Sequence, residues 1–287
     1  MKRADYYRLD GDKTSAGMLQ ECERDLRHRF DLAPDEEIGT AIVLGTGWGD
    51  AFPFEATHTV PLTEVGAFSK LDELEGHERR LELGTVEIDG KPKRVIVLRG
   101  RIHMNEDTFN PDVRLMVRLQ IEVLIKLGVK KFIITCAAGA LWNHLSKGDL
   151  FYITDFVSWG SDTMPLFPGE FVNPAACIDQ DAGQHFRVGG ALREDGEEYY
   201  SGPYVMFRGP HFESIGDKRL MLNSGGAVVG MSVKPECSVA ALYPDVKIIP
   251  VALITNDNKE TPDHETHRDR AKEVAQKLSR ALMLLVR

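Results

Sequence analysis

The chain has 287 residues, 43% of them hydrophobic, which is enough to bury a large core. Its net charge of −9 disfavours a nucleic-acid backbone or an anionic membrane as partner. The four cysteines are widely spaced, and neither a signal-peptide-like start nor an apolar run of about 18 residues is visible. These features predict a cytoplasmic protein without a zinc or disulfide framework.

Hydrophobic periodicity predicts strands and helices that alternate along the first half of the chain. Residues 1–14 are polar and predict a loose arm. The elements predicted after them are a helix at 15–30, a strand at 41–44, a hairpin of 81–88 and 94–98, a helix at 112–127, and strands at 131–135 and 150–156.

The second half opens with residues 157–200, which are rich in Gly, Pro and Asp and predict an irregular insertion with at most a short helix. The elements predicted after it are a strand at 204–207, a helix at 214–223, a strand at 227–229, a helix starting at 235, a strand at 246–254 and a helix at 262–286. This alternation predicts an α/β fold with helices flanking a sheet. No repeat or linker divides the chain, so residues 1–287 are predicted to form one domain.

A glycine-rich loop, Gly45 to Asp50, follows the strand at 41–44. Its backbone N–H groups would suit an anion. It is not a dinucleotide fingerprint, because that motif needs glycine where Asp50 stands, and it lacks the Lys-Ser/Thr pair of a P-loop. The alternative interpretation is a simple tight turn.

Two basic residues, Arg101 and His103, follow the next predicted strand. Alternation in an extended chain puts them on one side. Arg can bind two phosphate oxygens at once, and His can add a hydrogen bond. The alternative is a solvated basic strand end.

Polar residues also follow later strands. Glu213 is either a recessed acceptor for a ligand N–H or a surface or helix-capping group, and Ser232 is either a ligand contact or a helix cap. Asn256 ends an apolar strand, where open α/β sheets bind ligands, although Asn also favours turns. His264 and His267 open the last helix without matched partners, so no metal site is predicted.

Taken in order, these motifs resemble the trimeric purine nucleoside phosphorylase family, which also includes methylthioadenosine phosphorylase. The resemblance runs from about residue 40 to 285 and is carried by VLGTGWG, VLRGRIHM, ITCAAGAL with KGDL, YVMFRGPHFE, VVGMSVKPE and LITN. It implies a phosphorylase-type three-layer fold, in which helices flank a central mixed β-sheet. It also implies a homotrimeric pentosyltransferase that uses inorganic phosphate as co-substrate and needs no metal or organic cofactor.

The resemblance assigns roles to particular residues. It implies phosphate binding by Thr46, His77, Arg101, His103, the Ala137 backbone N–H and Ser232. It implies purine binding by Phe212, Glu213 and Asn256, and ribose binding by Tyr204, Met231 and His264. It implies catalytic roles for Asn256, Glu213 and His103.

The implied reaction is phosphorolysis of a purine nucleoside. Glu213 would accept N1–H, which hypoxanthine and guanine carry and adenine lacks, so 6-oxopurine nucleosides are expected substrates. Methylthioadenosine phosphorylase is an alternative, although such relatives usually carry Asp where Asn256 stands; Asp257 is one place away. An inactive nucleoside-binding protein is a second alternative, which the intact set of site residues disfavours. The missing dinucleotide fingerprint disfavours a nucleotide-binding oxidoreductase.

Several positions depart from the family pattern. They are Trp48, Asn105, Cys136, Arg208 and His211. The family also sends an aromatic side chain from the region of 157–200 into the next subunit, and Trp159 and Phe167 are the candidates here.

Overall fold

The computed structural model describes residues 8–9, 13–49, 52, 54–73, 79–107, 109–158, 164–191, 199–258 and 275–287. Its strands are β1 (Arg8–Leu9), β2 (Lys13–Thr14), β3 (Thr40–Leu44), β4 (Glu55–Pro61), β5 (Arg80–Ile88), β6 (Lys91–Arg99), β7 (Lys131–Ala140), β8 (Leu150–Ser158), β9 (Tyr199–Met206), β10 (Val228–Gly230) and β11 (Lys247–Asn256). Its α-helices are α1 (Ser15–Arg29), α2 (Pro111–Lys126), α3 (Gln180–Ala191), α4 (Ile215–Asn223), α5 (Lys234–Ala240) and α6 (Ala275–Val286). Short 3₁₀ helices are Leu62–Glu64, Gly66–Glu73 and Pro174–Cys177.

Nine of these strands form one mixed sheet in the order β10-β9-β8-β11-β7-β3-β6-β5-β4. The centre of the sheet is parallel: β3 is parallel to β6 and to β7, and β7 is parallel to β11. β8 is antiparallel to β11, and β5 is antiparallel to both β4 and β6. β10 pairs with β9 and also with β7, so β7, β11, β8, β9 and β10 close into a ring of strands.

Helices cover both faces of the sheet. Side chains alternate along the strands: Ala41 and Val43 enter a core that contains apolar side chains of α1, α2 and α5. Ile42 and Leu44 enter a second core, which contains apolar side chains of α3 and α6. This arrangement confirms the predicted α/β class with a mixed sheet flanked by helices.

The structure also corrects parts of the prediction. The prediction that 157–200 is irregular with at most a short helix is wrong, because α3 spans 12 residues within it. The Asp179 carboxylate accepts the Ala182 N–H at 2.9 Å, and Phe186 stacks on Tyr199 at 4.5 Å between ring centroids. Packing at Phe186 therefore supports a helix whose sequence is rich in glycine.

Two further differences concern strands. β1 and β2 pair antiparallel within residues 1–14, which were predicted to be a loose arm. β7 continues to Ala140, five residues beyond the predicted end at Thr135, because β10 and β11 supply hydrogen-bonding partners on its two sides. Among the described helices, none is long and apolar enough to cross a membrane.

Candidate active site

The predicted site residues gather where parallel strands end. Thr46 lies in the loop after β3, Arg101 follows β6, Ala137 lies near the end of β7, and Asn256 ends β11. The carboxyl ends of parallel strands meet at one edge of a sheet, which is where open α/β folds bind ligands. The topology therefore brings together residues that are far apart in sequence.

Glu213 and Asn256 converge on the backbone of Gly139. A β-carbon built on Gly139 would lie 2.9 Å from Nδ2 and 3.1 Å from Oδ1 of Asn256, and 3.2 Å from Oε1 of Glu213. Both side chains are buried, at 3% exposure for Asn256 and 6% for Glu213. Because Gly139 has no side chain, a carboxylate and a carboxamide both lie against its backbone, and we call this place the recess.

A β-bulge sets the position of Asn256. In the pairing of β11 with β7, Ile254 is opposite Ala138 and Asn256 is opposite Gly139, so Thr255 is the extra residue. The Thr255 hydroxyl donates to the Ala138 carbonyl at 3.3 Å. This bulge brings the carboxamide against Gly139.

Glu213 has a buried cationic neighbour, Lys218. The Lys218 Nζ lies 3.9 Å from Oε1 of Glu213 and donates to the Asp257 carbonyl at 3.1 Å. Nδ2 of Asn256 donates to the same carbonyl at 3.2 Å. Burial raises the pKa of Glu213 above its ordinary value, although a backbone hydrogen bond and the charge of Lys218 oppose this rise.

The helix-capping alternative for Glu213 is wrong, because the cap is the next residue. The Ser214 hydroxyl accepts the Asp217 N–H at 3.2 Å, and the Asp217 carboxylate accepts the Ser214 N–H at 2.9 Å. This capping box satisfies the start of α4 and leaves the Glu213 carboxylate in the recess beside Gly139.

Arg101 is buried at 2% exposure, so the alternative of a solvated strand end is wrong for it. Its Nη1 donates to Oε1 of Glu236 at 2.9 Å, and its Nη2 donates to the Thr135 carbonyl. Its Nε has no hydrogen-bond partner among the described residues. Gly45 leaves room for this guanidinium, since a β-carbon there would lie 2.4 Å from Nη2 of Arg101.

His103 is half-buried and is held by Glu106. The His103 N–H donates to Oε1 of Glu106 at 2.8 Å, and Nδ1 lies 3.5 Å from that oxygen. Burial alone would raise the pKa of Glu106, but hydrogen bonds from His103 and the charge of Arg79, 2.7 Å away, hold that pKa below its ordinary value. Glu106 thus carries a negative charge beside the imidazole.

The Ser232 segment is fixed by Tyr204. The Ser232 N–H donates to the Tyr204 hydroxyl at 3.1 Å, and Tyr204 is fully buried. The N-cap position of α5 is Val233, at φ 71° and without a side-chain cap, so the helix-cap alternative for Ser232 is wrong. Tyr204 supports the Ser232 loop through its hydroxyl, and its predicted ribose contact stays a prediction.

The Met231 side chain contacts Asn105, which is one of the residues that depart from the family pattern. Nδ2 of Asn105 lies 3.4 Å from the Met231 sulfur. A β-carbon on Gly209 would lie 2.4 Å from the same sulfur. Asn105 therefore contacts the thioether that the resemblance places under the ribose, and Gly209 leaves room for it.

The glycine-rich loop is a tight turn at this edge of the sheet. The Trp48 N–H donates to the Gly45 carbonyl at 3.0 Å, and Gly47 has φ 84°. The buried Trp48 indole donates to the Cys136 carbonyl at 3.0 Å. The backbone of this loop therefore forms the tight turn that was the alternative interpretation of the sequence. Thr46 lies half-buried within that turn.

The segment before Glu213 is more exposed. Phe212 is 37% exposed, and the His211 ring lies edge-on to Phe207 at 5.0 Å between centroids. The Arg208 guanidinium lies over Phe109, 5.9 Å from its centroid. Arg208 and His211 therefore each contact a neighbouring aromatic ring.

Of the two aromatic residues predicted to reach the next subunit, Trp159 and Phe167, the structure describes Phe167. Phe167 is buried, with the Arg118 guanidinium 4.0 Å from its ring centroid, so it packs inside its own subunit. Phe171, which the sequence did not single out, is 94% exposed. The predicted residues that lie outside the described part of the chain are His77, Trp159 and His264.

Sequence reasoning missed three charged partners of the site, which are Glu106, Lys218 and Glu236. Each lies three to five residues after a residue that was singled out, so its position gave a weak local signal. Among the residues with described positions, no group of three or more His, Cys, Asp or Glu side chains is arranged to hold a metal ion.

Comparison with known proteins defines the class to which this fold and site belong. A family profile described as the phosphorylase superfamily matches residues 40–287, so the chain belongs to that superfamily. The purine nucleoside phosphorylase of Mycobacterium tuberculosis is 31% identical over 222 residues, which cover 77% of this chain and 76% of that protein. The chain is therefore a member of the purine nucleoside phosphorylase family of pentosyltransferases.

Further relatives are also purine nucleoside phosphorylases. The Bos taurus purine nucleoside phosphorylase is 28% identical over 267 residues, covering 86% of this chain and 87% of that protein. A solved structure of isoform 2 of the Schistosoma mansoni purine nucleoside phosphorylase, in complex with cytosine and ribose-1-phosphate, has a TM-score of 0.78 at 23% identity. That match covers 94% of this chain and 96% of the other, and it confirms the fold.

Proposed function

We propose that this protein cleaves the N-glycosidic bond of 6-oxopurine ribonucleosides and deoxyribonucleosides with inorganic phosphate. The products are the free base and ribose 1-phosphate or deoxyribose 1-phosphate. One observation carries the proposal: the buried Glu213 carboxylate and Asn256 carboxamide converge beside Gly139. They offer an acceptor and a donor to one edge of a flat ligand.

Base recognition follows from these two groups. One N–H of the Asn256 amide donates to the Asp257 carbonyl, and its second N–H is the donor we assign to purine N7. As the glycosidic bond breaks, negative charge develops on the purine and strengthens that hydrogen bond, so it favours the transition state over bound substrate. Ionised Glu213 accepts N1–H of hypoxanthine or guanine.

We assign phosphate binding to Arg101, with Thr46, His103, the Ala137 N–H and Ser232 around it. Arg101 is held in place by Glu236 and the Thr135 carbonyl, and its buried Nε–H has no hydrogen-bond partner among the described residues. A fixed guanidinium orients phosphate for attack on the sugar carbon, and the anion offsets positive charge developing there. In this proposal phosphate is a co-substrate, and no cofactor takes part.

The proposed enzyme is a cytoplasmic homotrimer. The four cysteines are buried free thiols, which suits a reducing compartment. Phe171 is a large aromatic side chain that is 94% exposed on one subunit. We propose it, in place of Phe167, as the aromatic that contacts the neighbouring subunit.

The structure also bears on the alternative of methylthioadenosine phosphorylase. That reaction would favour Asp where Asn256 stands, and Asp257 is one residue later. The side chain that contacts Gly139 belongs to Asn256, whereas Asp257 contributes its backbone carbonyl to Lys218 and Asn256. This register supports the 6-oxopurine assignment.

The proposal is tested with purified protein and four nucleosides: inosine, guanosine, adenosine and methylthioadenosine, each with and without phosphate. We expect base release from inosine and guanosine only when phosphate is present. Turnover of methylthioadenosine alone would overturn the specificity. Nucleoside binding without turnover of any of the four would instead identify an inactive binding protein.

A further inference from the structure

Lys218 is a buried lysine beside the group that we assign to purine recognition. It is 4% exposed, and its Nζ lies 3.9 Å from Oε1 of Glu213. Its hydrogen bond to the Asp257 carbonyl fixes the ammonium next to the last residue of β11. Lysine is seldom buried to this extent unless it is paired, because removing an ammonium group from water costs free energy. The burial of Lys218 therefore suggests that it has a role at the site.

The fold delivers Lys218 to this place through α4. The capping box of Ser214 and Asp217 starts the helix immediately after Glu213, and Lys218 lies in its first turns. The buried side of α4 includes Lys218 and Met221, whereas Arg219 and Leu220 are exposed. Lys218 therefore follows Glu213 by five residues, on the other side of this helix start.

The protonation state of Glu213 decides what the recess can bind. An ionised carboxylate only accepts hydrogen bonds, whereas a neutral carboxyl group also donates one. A 6-oxopurine presents a donor at N1, and adenine presents an acceptor there. Burial pushes Glu213 towards the neutral form, and Lys218 opposes this within the buried cluster.

Two other charged groups act on Glu213, and both are weaker candidates for this control. Asp217 acts in the opposite direction to Lys218, and His211 acts in the same direction. His211 is exposed, and the half-buried Asp217 carboxylate already accepts hydrogen bonds from the Ser214 N–H and hydroxyl. Lys218 is the buried cation of the set.

We propose that Lys218 is a positioning residue that sets base selectivity: its ammonium holds Glu213 in the acceptor form, so the pocket selects purines with a hydrogen-bond donor at N1. This inference rests on the proposed function. It adds a determinant that lies outside the predicted purine-binding set of Phe212, Glu213 and Asn256.

The test compares Lys218→Met with Arg219→Met, a matched change on the exposed side of the same helix. We expect the ratio of kcat/KM for inosine to that for adenosine to fall about ten-fold in Lys218→Met at a pH one unit below the further raised pKa of Glu213, where about nine-tenths of the carboxyl groups are neutral. Lys218→Arg should keep the wild-type ratio, and Arg219→Met should match the wild type in both substrates.

The pH profile gives a readout that a purely structural role would not move. Without the ammonium, the pKa of Glu213 rises further, so the acceptor form is reached only at higher pH. In Lys218→Met, kcat/KM for inosine should therefore climb with pH, about ten-fold per unit below that pKa, over a range where the wild type is flat. An unchanged ratio and an unchanged pH profile in Lys218→Met would overturn the proposal.

Combining Lys218→Met with a substitution of Glu213 shows whether Lys218 acts through Glu213. In Glu213→Gln, which has no titrating carboxyl group, adding Lys218→Met should change neither the ratio nor the pH profile. An equal further loss in that background would contradict the mechanism. If Lys218→Met does not fold, Lys218→Gln carries the same test. Wild-type turnover of inosine is measured first, so failure of the proposed function is distinguished from failure of this inference.

Discussion

Substitution of Gly139 by alanine should damage base recognition while leaving the sheet intact. The added β-carbon would lie 2.9 Å and 3.1 Å from the Asn256 carboxamide atoms and 3.2 Å from Oε1 of Glu213. Comfortable contacts of a carbon with other heavy atoms lie near about 3.5 Å, so these groups must move by about 0.3–0.6 Å. Both side chains are buried, so neither can swing into solvent to relieve the contact.

Misplacement of a reacting or recognising group by about 1 Å can cost roughly 100-fold in rate. A displacement of about half that distance leads us to expect a fall of about 10-fold in kcat/KM for inosine in Gly139→Ala. The KM for phosphate should change little, because Arg101 is fixed separately by Glu236. Overpacking should also lower the free energy of unfolding by about 1–3 kcal/mol.

Steady-state phosphorolysis of inosine, with phosphate varied in a second series, measures these effects. Gly39→Ala is the matched control, since a β-carbon there meets no atom within 4 Å, and it should retain wild-type kinetics. If Gly139→Ala kept kcat/KM for inosine within two-fold of the wild type, the shared recess would not be the purine site.

Three other substitutions separate chemistry from stability. Asn256→Ala should lower kcat by about 100-fold or more, because the hydrogen bond that we propose from Asn256 to purine N7 would strengthen in the transition state, and steady-state kinetics showing unchanged kcat would contradict that role. Glu236→Gln leaves the buried Arg101 without its anion, so chemical denaturation should show a loss of about 3 kcal/mol in the free energy of unfolding, and a loss below about 0.5 kcal/mol would count against a tightly paired site. Ser214→Ala removes the α4 cap and should cost about 1 kcal/mol in the same measurement, with kcat/KM retained; a large kinetic loss would mean that the cap also positions the site.

The sequence was informative where the pattern is local. Buried strands such as β3 and β11 are nearly continuous apolar runs, and polar residues mark their ends. α2 ends at Lys126, one residue before the predicted end at 127, and Gly128 follows it at φ 90°. Because parallel strands end at a common edge, residues that follow different strands meet there, and their assignment to a substrate site stays a prediction.

Other features depend on partners that are distant in sequence. β4 was not predicted because only Val60 on it is buried, so its sequence shows no alternation of apolar and polar residues. Hydrogen bonds to β5 hold it in the sheet. α3 was underestimated because its glycines mask a helix that packs through Phe186. The ion pair of Arg101 with Glu236 joins residues 135 positions apart, and no local pattern predicts such a pair.

Closure of the strand ring has a consequence for how binding ability appears during folding. β10 must pair with both β9 and β7 before the ring is complete, and β11 must lie parallel to β7, from which it is separated by more than a hundred residues. Such non-local pairing forms slowly and cooperatively. Nucleoside affinity should therefore appear only with the final assembled sheet, and a chain cut between β7 and β11 should lose it completely unless the two pieces reassociate.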